Sequence, residues 1–458
     1  MGRIQLQSVP LAMARQRSVL LTVCLISLAT IWSCRLPRMC LFDQCNADIM
    51  RGPLAHRSID LSSPEAPFIG WPLARVCQET SWTSGLVFVC DNNSGGIGNI
   101  RNFILTCVRY AIEAGATGLV MPQIRTRSVE NLSALMKEYR EFDYFFNEDH
   151  FRAGLTTHCP EITIYNKTED IPNLKGPPQH QMITPRKFGL RGGCDQKDLN
   201  RHADLFGTRF HEWLSEGSTK FKLPAVSHNH PRTIRLTWGV QWDWPVYRDG
   251  PEFVATYGGL LKFRDDILDL GRTANSAMQK FAAASGQSKD SGGQARFVGF
   301  HLRTESDALG GWPNFTDQTA AYLRESSHRG FKAGYLATGN ETEASKFTAE
   351  ASSQYQMQVI TKHDLLKDYP KDLKALQDLS WDQQALVDYL VLLGGDYFLG
   401  VSPSSFSMNV ALKRHLQIDG LYTRPWKIGR EGDGRSWLVG NYRRYWDDWL
   451  FMYESLWP

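Results

Sequence analysis

The sequence predicts an α/β protein with two halves, each built around a parallel sheet, behind an N-terminal apolar segment. Strand and helix patterns alternate from residue 86 to residue 124 and again from residue 296 to residue 415, which is typical of parallel sheets. An uncharged run of apolar residues lies near the start of the chain. With 42% hydrophobic and 22% charged residues the composition is globular, and the formal net charge of +3 gives no reason to expect a nucleic-acid partner.

The apolar run, Ser18–Cys34, is long enough to cross a thin bilayer, because it spans about 26 Å as a helix. Arg3, Arg15 and Arg17 precede it, which favours a cytoplasmic N-terminus. A cleaved signal peptide is the alternative, but no clear small-residue cleavage site is visible. We therefore predict a single-pass type II membrane protein of the Golgi or endoplasmic reticulum. Its predicted cytoplasmic tail, signal anchor and stem occupy residues 1–17, 18–34 and 35–80.

Two features agree with a luminal location for the rest of the chain. Five N-x-S/T sites are present, at Asn92, Asn131, Asn166, Asn314 and Asn340. Seven cysteines follow the apolar run: Cys40, Cys45, Cys77, Cys90, Cys107, Cys159 and Cys194. We expect some of them to form disulfides in an oxidising compartment, with at least one left free or paired between chains. No Cys-x-x-Cys or Cys/His cluster predicts a metal site.

The first strand–helix–strand unit contains a glycine-rich turn. Leu86–Cys90 is predicted as a buried strand, DNNSGGIGN follows as a loop, a helix covers 100–112 and Gly118–Ile124 is the next strand. Such a turn either places backbone N–H groups against an anionic or sugar ligand, or only allows close helix–strand packing. It is not the dinucleotide fingerprint, because Arg101 stands where the third glycine would be. Asn99 and Arg101 either cap and charge a site or only cap the helix.

Residues 125–250 carry weaker signals. A helix is predicted over Asp198–Leu214, and His211, His228 and His230 lack the spacing of a known metal site. The aromatic stretch 238–250, WGVQWDWPVYRDG, forms either a sugar-stacking wall or an interdomain brace, and we favour the brace.

The second half repeats the alternation of strands and helices. The predicted strands are Arg296–Leu302, Ala333–Thr338, Gln358–Thr361 and, as the last one, Tyr397–Val401. The predicted helices are Phe253–Arg272, Asp317–Arg329, Glu341–Tyr355, Asp372–Leu393 and, as the last one, Ser404–His415.

The first strand of this half ends in a cluster of charge, GFHLRTESD at 299–307, which contains His301, Arg303, Glu305 and Asp307. Open α/β sheets bind ligands at the carboxyl ends of their strands, and a guanidinium there suits a phosphate group. The alternative is an ion pair between Arg303 and one of the two carboxylates.

A second candidate phosphate site is SPSSFS at 402–407, between a strand and a helix. Ser404 and Ser405 can donate hydroxyl groups beside the free N–H groups of the first helical turn, although an ordinary serine N-cap is the alternative. Asp388 lies among apolar residues, so it is either buried and paired or faces the crevice.

Together these motifs resemble the protein O-fucosyltransferases. The resemblance rests on HLRTESD at 301–307, Asp388, DYFLGVSPSSFSMNVALKR at 396–414 and the GGIGN loop, and GGIGNIRNF and YAIEAGATGL indicate a fungal branch. It implies two Rossmann-like domains facing each other in the GT-B arrangement, over residues 81–250 on the acceptor side and 251–458 on the nucleotide-sugar side. It also implies metal-independent, inverting transfer from GDP-fucose to a protein or glycan hydroxyl.

The resemblance implies a role for each matching residue. Arg303 would clamp the β-phosphate and stabilise the leaving GDP, while His301 and Asp307 shape the donor pocket. Ser404, Ser405 and Phe406 would line the diphosphate and sugar. Asn99, with Gly96 and Gly98 in its loop, would approach fucose and the acceptor. Thr338 and Asp388 would face the nucleotide, and Glu305 is a candidate general base by its position.

One departure from the family pattern concerns the glycine loop. Some members carry an arginine there, whereas this chain has Gly95 and Gly96 before Ile97, and Arg101 only later. Two other functions therefore stay open: a catalytically inactive, membrane-anchored homologue that binds glycan or protein, and a transferase that uses another GDP-sugar. Retention of His301, Arg303, Asp307 and the SSFS helix start favours fucosyl transfer.

Overall fold

Two parallel five-stranded sheets organise the part of the chain that the structure describes. In chain order the strands are β1 Thr83–Val89, β2 Ala116–Val120, β3 Ile124–Arg125, β4 Tyr139–Arg140, β5 Thr163–Tyr165, β6 Gln181–Ile183, β7 Arg232–Leu236, β8 Val298–His301, β9 Ala333–Ala337, β10 Gln358–Ile360, β11 Tyr397–Val401 and β12 Ser436–Val439. The first sheet has the order β5-β2-β1-β7-β6 and the second β10-β9-β8-β11-β12, while β3 and β4 form an antiparallel pair. The predicted α/β class, with a parallel sheet in each half, is confirmed.

Helices connect these strands and cover the sheets. They are α1 Trp71–Gln78, α2 Ile97–Glu113, α3 Glu148–His158, α4 His202–Lys220, α5 Pro251–Tyr257, α6 Asp265–Ala284, α7 Phe315–His328, α8 Glu341–Tyr355, α9 Lys362–Leu365, α10 Pro370–Asp378, α11 Trp381–Gly394, α12 Ser405–His415 and α13 Met452–Ser455. The two central helices, α2 and α11, are buried along most of their length. The sequence of α11 is apolar on nearly every side, whereas α2 also buries Arg101, Asn102 and Arg109.

The computed structural model describes residues 59–458 except 129, 132–133, 176–179, 189–201, 221, 291, 306–311, 417–428 and 430–432. Ile59–Pro458 forms one compact unit. The predicted tail, the anchor Ser18–Cys34 and the stem as far as Ser58 lie outside the described residues. Within the described residues, no helix is long and apolar enough to cross a bilayer. The boundary that we placed between residues 250 and 251 stays a prediction.

The last part of the predicted stem differs from an irregular lead-in, because it contains α1. This helix packs against α3 and α5, and its Cys77 forms a disulfide with Cys159. A second disulfide, Cys90–Cys107, joins the end of β1 to the middle of α2. Disulfide formation, which the sequence predicted without the connectivity, is thus present in the first half of the fold.

Two of the predicted helices are each divided into two shorter helices, and further elements follow the ones that were predicted to be last. The helix predicted over Phe253–Arg272 is two helices, α5 and α6, because the chain leaves the helical conformation at Leu261, whose φ and ψ are −101° and 75°. Likewise, Asp372–Leu393 divides into α10 and α11. Ser380 starts the second of these, since its hydroxyl accepts from the Gln383 N–H and its own N–H donates to the Gln383 side chain in a capping box. The strand β12 and the helix α13 follow the elements predicted to be last.

Arg101 does not point toward a ligand, as one interpretation of the glycine loop had it. Its guanidinium is buried and donates to the carbonyl oxygens of Trp457 and Pro458, both at 2.6 Å. Asn102 adds a bond to Ser455 at 3.0 Å, and Asn409 of α12 donates to the Trp457 carbonyl at 2.7 Å. The segment at 455–458 therefore joins α2 of the first half to α12 of the second.

One part of the aromatic stretch 238–250 is a structural brace, and another part lines a cleft. Trp244 is fully buried, lies 4.3 Å from the Arg109 guanidinium and donates to Asp249 at 2.8 Å. Asp249 also accepts two bonds from Arg109, at 2.7 and 3.0 Å, so this part of the stretch is a structural brace. Trp238 and Trp242 instead line a cleft.

Candidate active site in a cleft between the two halves

A cleft of about 370 Å³ lies where residues from both halves of the fold meet. Gly95–Asn99 at the start of α2, Arg127 and Trp238 line it from the first half. From the second half come the carboxyl ends of β8 and β9 and the start of α12. Ligands of parallel α/β sheets bind at this end of the strands, so the topology marks this cleft as the candidate site.

Two helix N-termini meet in the cleft. Gly96 is the N-cap of α2, and Ser404 is the N-cap of α12, with its hydroxyl accepting from the Ser407 N–H at 3.4 Å. The two helices touch at Gly98, where an added Cβ atom would lie 2.9 Å from the backbone of Ser405. Each N-terminus carries partial positive charge from its free N–H groups. The glycine loop and the serine motif, which are 300 residues apart in sequence, thus form one anion-attracting surface.

Arg303 lies beside this surface, and Glu305 holds it there. Arg303 Nη1 donates to Glu305 Oε2 at 2.5 Å, and both side chains are largely buried. The other carboxylate oxygen of Glu305 accepts from the Gly339 N–H at 3.0 Å. Gln318 fixes the backbone of Arg303 through two bonds, at 2.9 and 3.0 Å. The ion pair that the sequence left as an alternative is present, and Arg303 lines the cleft as well.

The pKa of Glu305 reflects this arrangement. Burial acts to raise the pKa of Glu305, but the Arg303 guanidinium and hydrogen bonds outweigh it, and the pKa lies below its usual value. Glu305 is therefore an ionised carboxylate whose two oxygens both accept hydrogen bonds.

His301 is buried and lines the cleft. Its Nδ1 lies 2.7 Å from the Ser407 hydroxyl, and its ring lies 4.6 Å from the Phe406 ring. Burial lowers the pKa of His301 to about 4, and the nearby Arg303 charge acts in the same direction. The imidazole is therefore neutral at pH 7 and joins β8 to α12.

Asp388 is buried and paired, and it also lines the cleft. Its Oδ1 accepts from the Tyr335 hydroxyl at 2.6 Å, and its Oδ2 accepts from Lys362 Nζ at 2.9 Å. Thr338, at the end of β9, lines the same side. These groups present charge and hydrogen-bonding capacity at the end of the cleft formed by the second sheet.

The structure brings nearly every predicted site residue into this one cleft. Lining it are Gly96, Gly98, Asn99, His301, Arg303, Glu305, Thr338, Asp388, Ser404, Ser405 and Phe406. Asp307 lies outside the described residues. The individual roles of all these residues stay predictions.

Sequence reasoning missed several residues of the cleft. Lys362 directly follows a parallel strand and a threonine, so its position at the ligand-binding edge could have been read from the pattern. Arg127 gave no such signal, because it follows the two-residue strand β3, and its guanidinium lies 4.8 Å from the Trp381 ring of the other half. Within the described chain, five tryptophans line the cleft: Trp238, Trp242, Trp312, Trp381 and Trp449. No group of three His, Cys, Asp or Glu side chains among the described residues is placed to hold a metal ion.

Comparisons with known proteins give the family. The chain matches the family described as GDP-fucose protein O-fucosyltransferase over residues 86–417, which is more than half of its length. A comparison with curated protein sequences gave no match.

Among solved structures, POFUT1 in complex with GDP-fucose aligns with a TM-score of 0.40 at 14% identity, covering 74% of this chain and 96% of that one. The fucosyltransferase NodZ from Bradyrhizobium aligns with a TM-score of 0.34 at 15% identity, covering 71% and 90%. A mutant of Arabidopsis thaliana FUT1 in complex with GDP aligns with a TM-score of 0.32 at 11% identity, covering 75% and 71%. On the family match, the chain belongs to the GDP-fucose protein O-fucosyltransferase family and is a glycosyltransferase.

Proposed function

We propose that this protein transfers fucose from GDP-fucose to an acceptor hydroxyl, with inversion at the anomeric carbon and without a metal ion. In this proposal the two halves form the GT-B arrangement, with the acceptor on the side of the first sheet. The observation that carries the proposal is the position of Arg303, which Glu305 holds in the cleft where two helix N-termini meet.

Charge development in the reaction explains why this arrangement supports transfer. As the bond between fucose and the diphosphate breaks, negative charge grows on the departing phosphate oxygen. A fixed guanidinium and the N–H groups of two helix starts are placed to stabilise that charge without reorganising. Removing one such fixed donor from an active site costs roughly 3–4 kcal/mol, or about a hundred- to a thousandfold in rate.

The direct test uses residues 52–458, which contain the whole compact unit, purified from a secretory host. We expect slow GDP release from GDP-fucose alone, and we expect Arg303→Ala to lower that rate roughly a hundred- to a thousandfold. Arg324→Ala is the matched control, since Arg324 is an exposed arginine on α7. GDP binding without turnover would favour the inactive homologue. Turnover of another GDP-sugar, and not of GDP-fucose, would favour the transferase that uses a different donor. No binding of any GDP compound would contradict the proposal.

For Glu305 we propose an orienting role instead of the general-base role, because both its oxygens already accept hydrogen bonds and its pKa is lowered. Glu305→Gln should reduce turnover about tenfold at every pH, by loosening Arg303. A pH–rate profile of wild type and variant separates the roles: an acidic limb that disappears in Glu305→Gln would show that Glu305 is the base.

We also propose that Ser18–Cys34 anchors the protein in the Golgi or endoplasmic reticulum with the fold on the luminal side. The apolar run, the five N-x-S/T sites and the disulfides Cys77–Cys159 and Cys90–Cys107 support this orientation. In sealed microsomes, externally added protease should leave the fold intact. Cleavage of the fold without detergent would contradict the orientation.

A further inference from the structure

The lining of the cleft combines charged groups with tryptophans. Most of the charged groups come from the second half, among them Arg303, Lys362 and Asp388. We name Trp238, Trp242 and Trp449 the tryptophan wall. Of the described residues before position 251, Arg127 is the one charged residue that lines the cleft. A charged diphosphate would therefore be attracted toward the groups of the second half, which supplies most of the charge.

The tryptophan wall is fixed directly beside Asn99. With its side-chain amide oriented to satisfy its neighbours, Gln241 donates to the Asn99 carbonyl at 3.1 Å and accepts from Trp242 Nε1 at 3.2 Å. Phe451 packs between Trp242, at 6.2 Å, and Trp449, at 5.6 Å. The wall thus begins where the glycine loop opens into the cleft, which is the end predicted for fucose and the acceptor.

Burial, backbone conformation and hydrogen bonding distinguish the residues of the tryptophan wall. All three indoles are half-buried, so each keeps part of its ring open. Trp449 holds a backbone φ of +60°, a left-handed conformation that a bulky side chain rarely adopts. The indole N–H of Trp238 is buried and has no acceptor in the described part of the chain, which costs free energy unless a ligand or water supplies one.

We infer that the tryptophan wall binds a carbohydrate, so that the acceptor is a sugar hydroxyl; this inference rests on the proposed fucosyl transfer. A sugar ring presents C–H groups on its face and hydroxyl groups around its edge. Its face suits the open surface of an indole, and its hydroxyls are acceptors for an indole N–H. The three indoles of the wall carry no charge, which suits a neutral sugar.

An extended peptide suits the cleft less well. Peptides that bind in extended form commonly take their main-chain hydrogen bonds from a sheet edge. The described strand residues that line the cleft are His301 and Ala337, in β8 and β9. Both strands already have a hydrogen-bonded neighbour on each side, so neither offers an edge.

The reaction balances without a further reactant. The acceptor sugar oxygen forms a bond to the anomeric carbon of fucose, while the bond from that carbon to the β-phosphate oxygen breaks. The electron pair of the broken bond leaves with GDP, and the hydroxyl proton is released to water. The products are a fucosylated sugar, GDP and one proton.

The test gives residues 52–458 GDP-fucose with tetrasaccharides of glucose, mannose, galactose or N-acetylglucosamine, and separately with a peptide rich in serine and threonine. GDP release and the mass of the acceptor are measured. At least one tetrasaccharide should gain fucose and raise GDP release tenfold or more over hydrolysis. Trp238→Ala and Trp242→Ala should each raise the KM for that tetrasaccharide at least tenfold and the KM for GDP-fucose less than twofold, whereas Trp242→Phe should restore most of the affinity.

Trp71→Ala is the matched control, because Trp71 on α1 is 55% exposed and lies outside the cleft lining; it should change neither KM. Fucosylation of the peptide alone would overturn the inference and leave the proposed function standing. Hydrolysis that no tetrasaccharide raises, or wall variants with an unchanged KM for sugar, would also overturn it. Failure of the proposed function would instead appear as no turnover of GDP-fucose under any condition.

Discussion

Arg303 shows how a residue at a strand end depends on neighbours that are distant in sequence. Its partner Glu305 is two residues away, and that pair could be predicted from the charge cluster. This pair is held by Gly339, which lies between β9 and α8, and by Gln318, which lies in α7. Sequence order does not reveal them, because they are brought to Arg303 by the parallel pairing of β8 with β9.

His301 carries a prediction about pH. Burial lowers the pKa of His301 to about 4, below the usual value of 6.5, so the unfolded chain takes up a proton there before the folded protein does. The contribution of His301 to the free energy of unfolding should therefore be fully present above pH 6.5 and be lost as the pH drops toward 4. Between pH 7 and pH 5 this one group accounts for about 2 kcal/mol.

Denaturant unfolding at both pH values measures this effect. His301→Gln should remove about 2 kcal/mol from the difference between pH 7 and pH 5. His328→Gln, at an exposed histidine on α7, should leave the difference as it is in wild type. An unchanged difference in His301→Gln would contradict a depressed pKa.

At the scale of elements, the contact between the starts of α2 and α12 carries a sharp prediction. Gly98→Ala should raise the Kd for GDP at least tenfold, because its Cβ atom would lie 2.9 Å from the Ser405 backbone and push the two N-termini apart. Gly217→Ala on α4 is the matched control, because a Cβ atom there would have nothing within 4 Å and Gly217 does not line the cleft. Calorimetric titration with GDP measures both, and equal affinities in the two variants would contradict a shared anion site.

The alternation of strands and helices was predictable because buried strands and amphipathic helices have different periods. Breaks within helical patterns were harder to predict. The first break lies at Leu261 and the second at Ser380, but a leucine or a single serine inside an apolar pattern also fits a continuous helix. The last strand and helix were missed because residues 416–458 contain many aromatic and charged residues with no regular period.

At the scale of the whole molecule, the segment 455–458 joins the halves, and Trp457 is its largest side chain. Trp457 is fully buried, and its indole N–H donates to Thr106 at 3.1 Å. Trp457→Ala should lower the free energy of unfolding by about 3–5 kcal/mol. Trp446→Ala, at an exposed position before this segment, should stay within about 0.5 kcal/mol of wild type. Equal losses in the two variants, measured by denaturant unfolding, would contradict a joining role for Trp457.

The sequence located the charged half of the candidate site far better than the aromatic half. Arg303, Asp388 and Ser404 follow or precede recognisable strands, and parallel strands place such residues at one edge. Arg127 and Trp449 follow irregular segments, so their arrival in the cleft depends on the packed fold. The choice between brace and wall for residues 238–250 could not be made either, since the fully buried Trp244 and the half-buried Trp242 are only two residues apart.

A crystal structure of residues 52–458 with GDP would test the central claim most directly. We predict the diphosphate against Arg303 and the first turn of α12, with the nucleoside toward Thr338 and Asp388. The tryptophan wall should stay open to an acceptor in that structure. A diphosphate bound away from Arg303, or no GDP in the cleft at saturating concentration, would contradict the account.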